Sequence, residues 1–248
     1  MRGQVSFWPK GFNLEVYKKI LSDEMIYTAY KNTLMYVIFG TAISLFVLVT
    51  GSYALSKKRC PFGKQINILI LITMFFGGGM IPAYLALKWL HMLDTMWAVI
   101  LPSALTAYNL IIMRSFFAQY PAEIEESGKL DGLNDIGVLW YLVLPTSTAV
   151  LATIGLFCAV SYWNSFMAPL LYLSDNKKYP LQIILRQIVM QSITESQGGT
   201  GETMKGTQFA EDAIKYGTIL VSIIPIIAVY PFLQKYFVKG VMIGSVKG

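Results

Sequence analysis

The chain has 248 residues, 55% of them hydrophobic and only 14% charged, where soluble domains carry about 25%. A mean hydropathy of +0.53, with charges clustered between long uncharged runs, excludes an ordinary water-facing globule. The net charge of +6 sits at the flanks of those runs rather than interleaved with aromatics on a polar helix, which argues against nucleic-acid binding and for membrane orientation.

In chain order, Met1–Lys31 is polar and aromatic, carries Lys10, Lys18 and Lys19, and lacks the apolar core of a secretory signal. A first apolar run covers Thr33–Leu55, a second Ile66–Leu87, and a third Met96–Met113 between Asp94 and Arg114. The fourth lies in the uncharged region Ile136–Ser174 and is placed after Pro145, at Thr148–Tyr172; the fifth is Tyr216–Gln234, between Lys215 and Lys235. Each is about 18 to 25 residues, enough for a helix to cross a ~30 Å hydrocarbon layer. The alternation of a membrane β-strand is absent, and only helices or closed barrels satisfy backbone polar groups in lipid. The expected fold is therefore an all-α, polytopic membrane helical bundle with five spans.

Orientation follows from the short loops. Ser56–Gln65 carries Lys57, Lys58, Arg59 and Lys64, whereas Lys88–Thr95 carries only Lys88, so the first loop is cytoplasmic. By alternation residues 1–32 form an extracellular N-terminal segment, 114–147 lie inside, 173–215 form an extracellular loop, and the tail from Lys235 lies inside. An outer segment 1–32 without a signal implies a first membrane helix upstream. In the outer loop, Leu181–Gln191 has the pattern of a short amphipathic helix and Ser192–Thr203 is polar and Gly-rich, a flexible-loop signature.

Several spans hold helix breakers: Gly77, Gly78 and Gly79 with Pro82, then Pro102, Pro225 and Pro231. Such breaks either line a substrate path or serve as kinks and close-packing points. Cys60 and Cys158 are too isolated in sequence for a disulfide or zinc pattern, and His91 is the only histidine. The spans hold almost no ionisable groups, which argues against a membrane-embedded enzyme and against a proton- or sodium-driven carrier.

Tyr120–Ala149 carries the most information. Pro121 suits a first helical position, and Glu123, Glu125 and Glu126 occupy early turns where the helix dipole favours negative charge. Ile124, Ser127, Gly128 and Asp131 share one face by their spacing. Ser127 and Gly128 are small, so another surface can approach closely. Gly132 fits a left-handed C-terminal position, and Asn134 or Asp135 can cap a second helix. The expectation is a pair of short helices projecting into the cytoplasm between two spans, with an ordinary surface loop as the plain alternative.

This stretch resembles the coupling motif of ABC importer permeases, E-A-A-x-x-D-G followed by L-P. Glu126, Asp131, Gly132, Leu144 and Pro145 stand at matching positions, with Ser127 and Gly128 in place of the two alanines. Tyr53–Lys57, Leu93–Thr95, Trp163–Asn164, Tyr179–Gln182 and Gln234–Gly240 extend the resemblance to the carbohydrate-importing branch. Within it, the maltose-type second permease subunit used with lipoprotein-anchored binding proteins in Gram-positive bacteria is the nearest pattern.

The resemblance implies a permease domain over 33–248 in the cell membrane, with cytoplasmic coupling helices at 120–147 and six spans in the family. It implies as partners a second homologous permease subunit, two ATP-binding subunits, an extracellular solute-binding protein and membrane lipid, with an oligosaccharide as substrate. ATP and Mg would be bound by the partner subunits. Coupling would rest on Glu123, Glu126, Ser127, Gly128, Asp131 and Gly132. Sugar passage calls for polar and aromatic groups in the spans, and the candidates are Tyr108, Asn109, Tyr162, Trp163, Asn164 and Ser165; interhelical hydrogen bonding and packing are the plain alternatives. Importers of amino acids or other solutes share the motif, and Lys177, Lys178 and Arg186 in the outer segment would tolerate an acidic ligand.

Overall fold

The computed structural model describes residues 22–198, 216–217, 219–220, 222–225 and 227–228. Its organising element is α1, Glu24–Ser56, a helix of 33 residues. Asp23 caps it: the carboxylate accepts from Met25 N at 2.8 Å, satisfying one of the N–H groups a helix start leaves free. The helix begins nine residues before the expected Thr33, because hydropathy marks the lipid-facing part of a helix and not its end. Residues 24–32, expected as part of an outer segment, are thus largely the first turns of α1.

One face of α1 carries Thr33, Tyr36, Gly40, Ser44, Leu48 and Ser52, all buried and spaced by three or four residues. Along this face lie α5 (Ala107–Ala118) and α8 (Thr148–Trp163). Leu48, Leu110, Met113, Val143 and Ile154 form the main apolar cluster. Small residues let the backbones approach, as membrane helices require where lipid supplies no hydrophobic drive between them. Gly40 is the tightest point: a Cβ there would stand 2.7 Å from the Tyr162 ring. The Tyr162 hydroxyl donates to Ile100 O at 3.0 Å. Its single proton is thereby used, so it accepts from Ser44 Oγ at 3.1 Å.

The second predicted span is not one straight helix. It divides into α2 (Gly63–Phe75) and α3 (Met80–Trp89), which meet at 115°. Gly79 sits at φ +85, a conformation open to glycine at no steric cost. Thirteen and ten residues at 1.5 Å each are about 20 and 15 Å long, so neither half alone crosses a bilayer. Together they still carry the chain from the Lys57–Arg59 end of α1 to its opposite end.

The third span is likewise bent, by 49° between α4 (Met96–Ser103) and α5, with Pro102 in the 3₁₀ turn at the break. The fourth is shorter than expected. α8 stops at Trp163, and α9 (Met167–Tyr172) is a separate helix.

At that opposite end the chain is stapled to α1 by neutral hydrogen bonds. Asn32 Nδ2 donates to Lys177 O at 2.7 Å and Tyr179 O at 3.1 Å, and the Tyr36 hydroxyl donates to Lys178 O at 2.8 Å. Thr33 Oγ1 accepts from Leu181 N at 2.8 Å. This anchors α10 (Leu181–Gly198), whose Leu181, Ile183 and Ile184 are buried. The amphipathic reading of its start holds, and the helix runs on through Gly198, into the segment with a loop signature.

The described residues between 216 and 228 are helical. The remainder of the fifth predicted span, residues 1–21, residues 199–215 and the Gln234–Gly240 tail lie outside the described residues.

Candidate functional site

At the Lys57 end of α1, two short helices pack on each other. α6 (Ala122–Leu130) follows Pro121, which stands just before the helix as its N-cap, at φ −60 and ψ 129, rather than at its first helical position. Glu123 and Glu125 lie in its first turn and Lys129 in its last, the order that a helix dipole favours. The helix ends in a Schellman turn: Leu133 N donates to Gly128 O at 2.9 Å and Gly132 N to Lys129 O at 3.0 Å. Gly132 has φ +87, as this turn requires.

Asn134 then caps α7 (Asp135–Thr146), its Oδ1 accepting from Gly137 N at 2.8 Å. Residues Val138–Val143 of α7 form a π-helical stretch. Pro145 has no N–H and crowds the carbonyl four residues earlier, and the widened turn contains that carbonyl. α7 then meets α8 at 86°, while its Val138, Leu139 and Val143 stay buried in the main apolar cluster.

Gly128 is buried between the helices of this pair. A Cβ there would be 2.6 Å from Leu142 and 3.5 Å from Leu133 and Val138. Of the two small residues, Gly128 therefore serves the pair's own packing and is not available to another surface, whereas Ser127 is exposed. Glu123, Glu126, Asp131 and Gly132 are exposed as well, and an added Cβ at Gly132 would meet open space. Ile124 is 42%, Ile136 67% and Leu130 89% exposed, an apolar presence on an otherwise charged pair of helices.

Ion pairs fasten the pair to α1. Lys57 pairs with Glu125, and this contact is only about one-sixth exposed on each side chain; the Lys57 ammonium also lies 3.9 Å from the Tyr53 ring centroid. Arg59 pairs with Asp135, and Lys129 lies 3.4 Å from the same carboxylate. Burial would raise the Asp135 carboxyl, but the hydrogen bonds from Arg59 and Lys129 outweigh it and hold it below its ordinary value. Arg114 Nε donates to Leu55 O at 3.1 Å, tying α5 to the same end. The result is a rigid helix pair, clamped to the longest helix, with an exposed acidic and apolar surface.

In the sequence Lys57 and Arg59 stand out only as orientation signals. Their role as fasteners depends on a contact 68 residues away for Lys57, which no local pattern contains. Leu130 could have been found from sequence, as a large apolar residue between Lys129 and Asp131.

The six residues proposed for the sugar path are dispersed. Asn109 is buried and its amide donates to Cys158 Sγ at 3.7 Å. Tyr162 is the buried strut under Gly40 described above. Trp163 is buried edge-on to Tyr30, centroids 6.1 Å apart. Tyr108 is 55% exposed. Asn164 is exposed at the C-cap of α8, its amide donating to Val160 O at 3.0 Å, and Ser165 is half-buried beside it. For Asn109 and Tyr162 the visible contacts are interhelical packing.

The family described as "Binding-protein-dependent transport system inner membrane component" matches residues 28–243. The polygalacturonan/rhamnogalacturonan transport system permease protein YtcP of Bacillus subtilis (strain 168) is 44% identical over 97% of this chain and 84% of its own length. Protein LplC of the same organism is 44% identical over 97% of this chain and 81% of its own. Among solved structures, a chain from the crystal structure of a bacterial ABC transporter involved in the import of the acidic polysaccharide alginate superposes with a TM-score of 0.84 at 35% identity, covering 95% of this chain and 84% of that one.

Proposed function

This chain belongs to the family of binding-protein-dependent transport system inner membrane components, and from that premise we propose that it is the permease subunit of an ATP-driven ABC importer passing oligosaccharides, including uronic-acid-containing ones, into the cytoplasm. Its partners in this reading are a second homologous permease subunit, two ATP-binding subunits and an extracellular solute-binding protein. ATP and Mg belong to the partner subunits, because the chain has no G-x-x-x-x-G-K-[ST] phosphate loop.

The observation that carries the proposal is the clamped helix pair α6–α7. Its exposed Glu123, Glu126, Ser127 and Asp131, with Ile124, Leu130 and Ile136, offer an ATPase subunit a mixed charged and apolar docking face. The Lys57–Glu125 and Arg59–Asp135 pairs pass its displacement to α1 as a rigid body. Substrate class comes from the relatives: polygalacturonan, rhamnogalacturonan and alginate in the transporters named above.

The test is the ATPase activity of the reconstituted complex, stimulated by binding protein loaded with neutral or acidic oligosaccharides. Gly132→Asp places a side chain at φ +87 and a charge on the docking face. Loss of stimulation in an assembled Gly132→Asp complex supports the coupling role. Full stimulation removes it.

A further inference from the structure

A cleft of about 480 Å³ opens beside the C-terminal end of α8, on the side of the bundle opposite the coupling pair, lined by Trp163, Asn164, Phe166, Gln182, Arg186 and Ser222 among others. Its size falls within the ~300–1,000 Å³ of small-molecule sites. Three elements meet there: the break that ends α8 at Trp163, the first turns of α10, and Ile219, Ser222 and Ile223.

The chemistry of the lining is selective. The Arg186 guanidinium carbon lies 4.5 Å from the Phe166 ring centroid. A guanidinium held by an aromatic ring keeps its N–H donors free and fixed in plane, ready for a bidentate carboxylate contact. Among the described residues Arg186 has no carboxylate partner. The other arginines placed near acids or carbonyls are engaged: Arg59 on Asp135 and Arg114 on Leu55 O. Around Arg186, Gln182 and Asn164 bring amide groups suited to hydroxyls, and Asn164 spends one N–H on Val160 O while its carbonyl oxygen stays available. Leu185, Val189, Ile219 and Ile223 supply an apolar wall that suits the carbon face of a sugar ring.

We propose that this cleft is a recognition site for a uronate residue of the transported chain, with Arg186 on its carboxylate and Gln182 and Asn164 on its hydroxyls. This rests on the oligosaccharide reading and deepens it, placing a charge-selective station within the membrane subunit. A uronate carboxyl is ionised at neutral pH, as carboxyls with ordinary values near 4 are. Its methyl ester keeps the shape and removes the charge, so charge recognition separates from size.

The experiment measures direct binding of trigalacturonate, and of its fully methyl-esterified form, to the nanodisc-embedded complex without binding protein. Loss of a charge-assisted hydrogen-bonded contact corresponds to about a 10- to 100-fold loss of affinity. Expected is tighter binding of the acid than of the ester by wild type, a difference abolished in Arg186→Gln and reduced in Phe166→Leu, while the purified complexes of both variants elute intact on size-exclusion chromatography as proof of assembly. Equal binding of acid and ester by wild type, or an undiminished preference in Arg186→Gln, overturns the site. Uptake of trigalacturonate by the complete wild-type transporter is measured alongside. If it persists while the cleft shows no preference, only this inference fails; if it too is absent, the acidic-oligosaccharide reading fails with it.

Discussion

The two ends of α1 are held by different forces. At one end Asn32, Thr33 and Tyr36 exchange neutral hydrogen bonds with the backbone of residues 177–181. These bonds are directional and short in reach, and a sub-ångström slip breaks them. At the other end Lys57 and Arg59 hold α6–α7 by ion pairs, whose Coulomb attraction falls gradually with distance, so that small adjustments leave the helix pair attached to α1. Under the proposed coupling role, in which the α6–α7 end of α1 takes up the displacement and the hydrogen-bonded end stays in register, each kind of contact suits its end. The middle of α1 is fixed by neither: there the close approach of Gly40 to Tyr162 sets the spacing.

The largest effect is expected in the middle. Gly40→Ala places a methyl 2.7 Å from the Tyr162 ring, and overpacking of this kind costs about 1–3 kcal/mol. The melting temperature of the purified complex falls markedly. Gly51→Ala, whose added carbon meets Leu110 at an ordinary 3.7 Å, is neutral or slightly stabilising, since alanine favours a helix by about 0.5–1 kcal/mol over glycine. Equal melting temperatures for the two variants would show that α1 and α8 are not in close contact.

The next pair of variants tests the contrast between the ends. Thr33→Val orphans the buried Leu181 N–H, a cost of about 1–3 kcal/mol, so it lowers thermal stability and leaves the ratio of stimulated to basal ATPase intact. Lys57→Met strands the mostly buried Glu125. Its stability loss is of comparable size, about 1.5–3 kcal/mol for a charged hydrogen bond, but here the stimulation ratio falls as well. If Thr33→Val uncouples and Lys57→Met does not, the assignment of fixed and moving ends is reversed.

A smaller effect belongs to Arg59→Gln, because both partners of its ion pair are at least half exposed. The loss is about 0–1 kcal/mol and shrinks further as salt is raised, by screening. Stability measured at low and high ionic strength reads this out directly.

The slightest effect at physiological pH is that of acid on the Asp94–Lys178 ion pair beside the neutral staple. Lys178 donates to Asp94 at 2.7 Å, and this bond together with the N–H groups of Asp175 and Ser174 lowers the Asp94 carboxyl to about 2. A depressed carboxyl contributes stability that is complete above its unfolded value, near 3.9, and is lost as pH falls through about 2. The melting-temperature difference between wild type and Asp94→Asn is therefore constant from pH 7 to about 4 and disappears towards pH 2.

Much of the candidate site was legible locally. Gly132 in its left-handed turn, Asn134 as a cap and the acidic first turn of α6 all follow from short-range chemistry that the sequence states outright. Gly128 is not told from an interface residue by sequence, because smallness reads the same whether the neighbour is a partner subunit or the Leu142 of the next helix. The sugar-path candidates are polar or aromatic residues inside apolar runs. Those properties do not tell Asn109, engaged with Cys158, from Asn164, which lines an open cleft.

The sequence by itself determined that the chain is a helical membrane bundle, which end of its spans is basic, and where short helices leave it, because hydropathy, charge and capping act over a few residues. Only the tertiary structure decided that the second span folds at Gly79, that α8 ends at Trp163 beside a cleft, and that Lys57 and Arg59 clamp the α6–α7 pair. Each of these depends on which helix faces which, and that is settled by packing between residues distant in the chain.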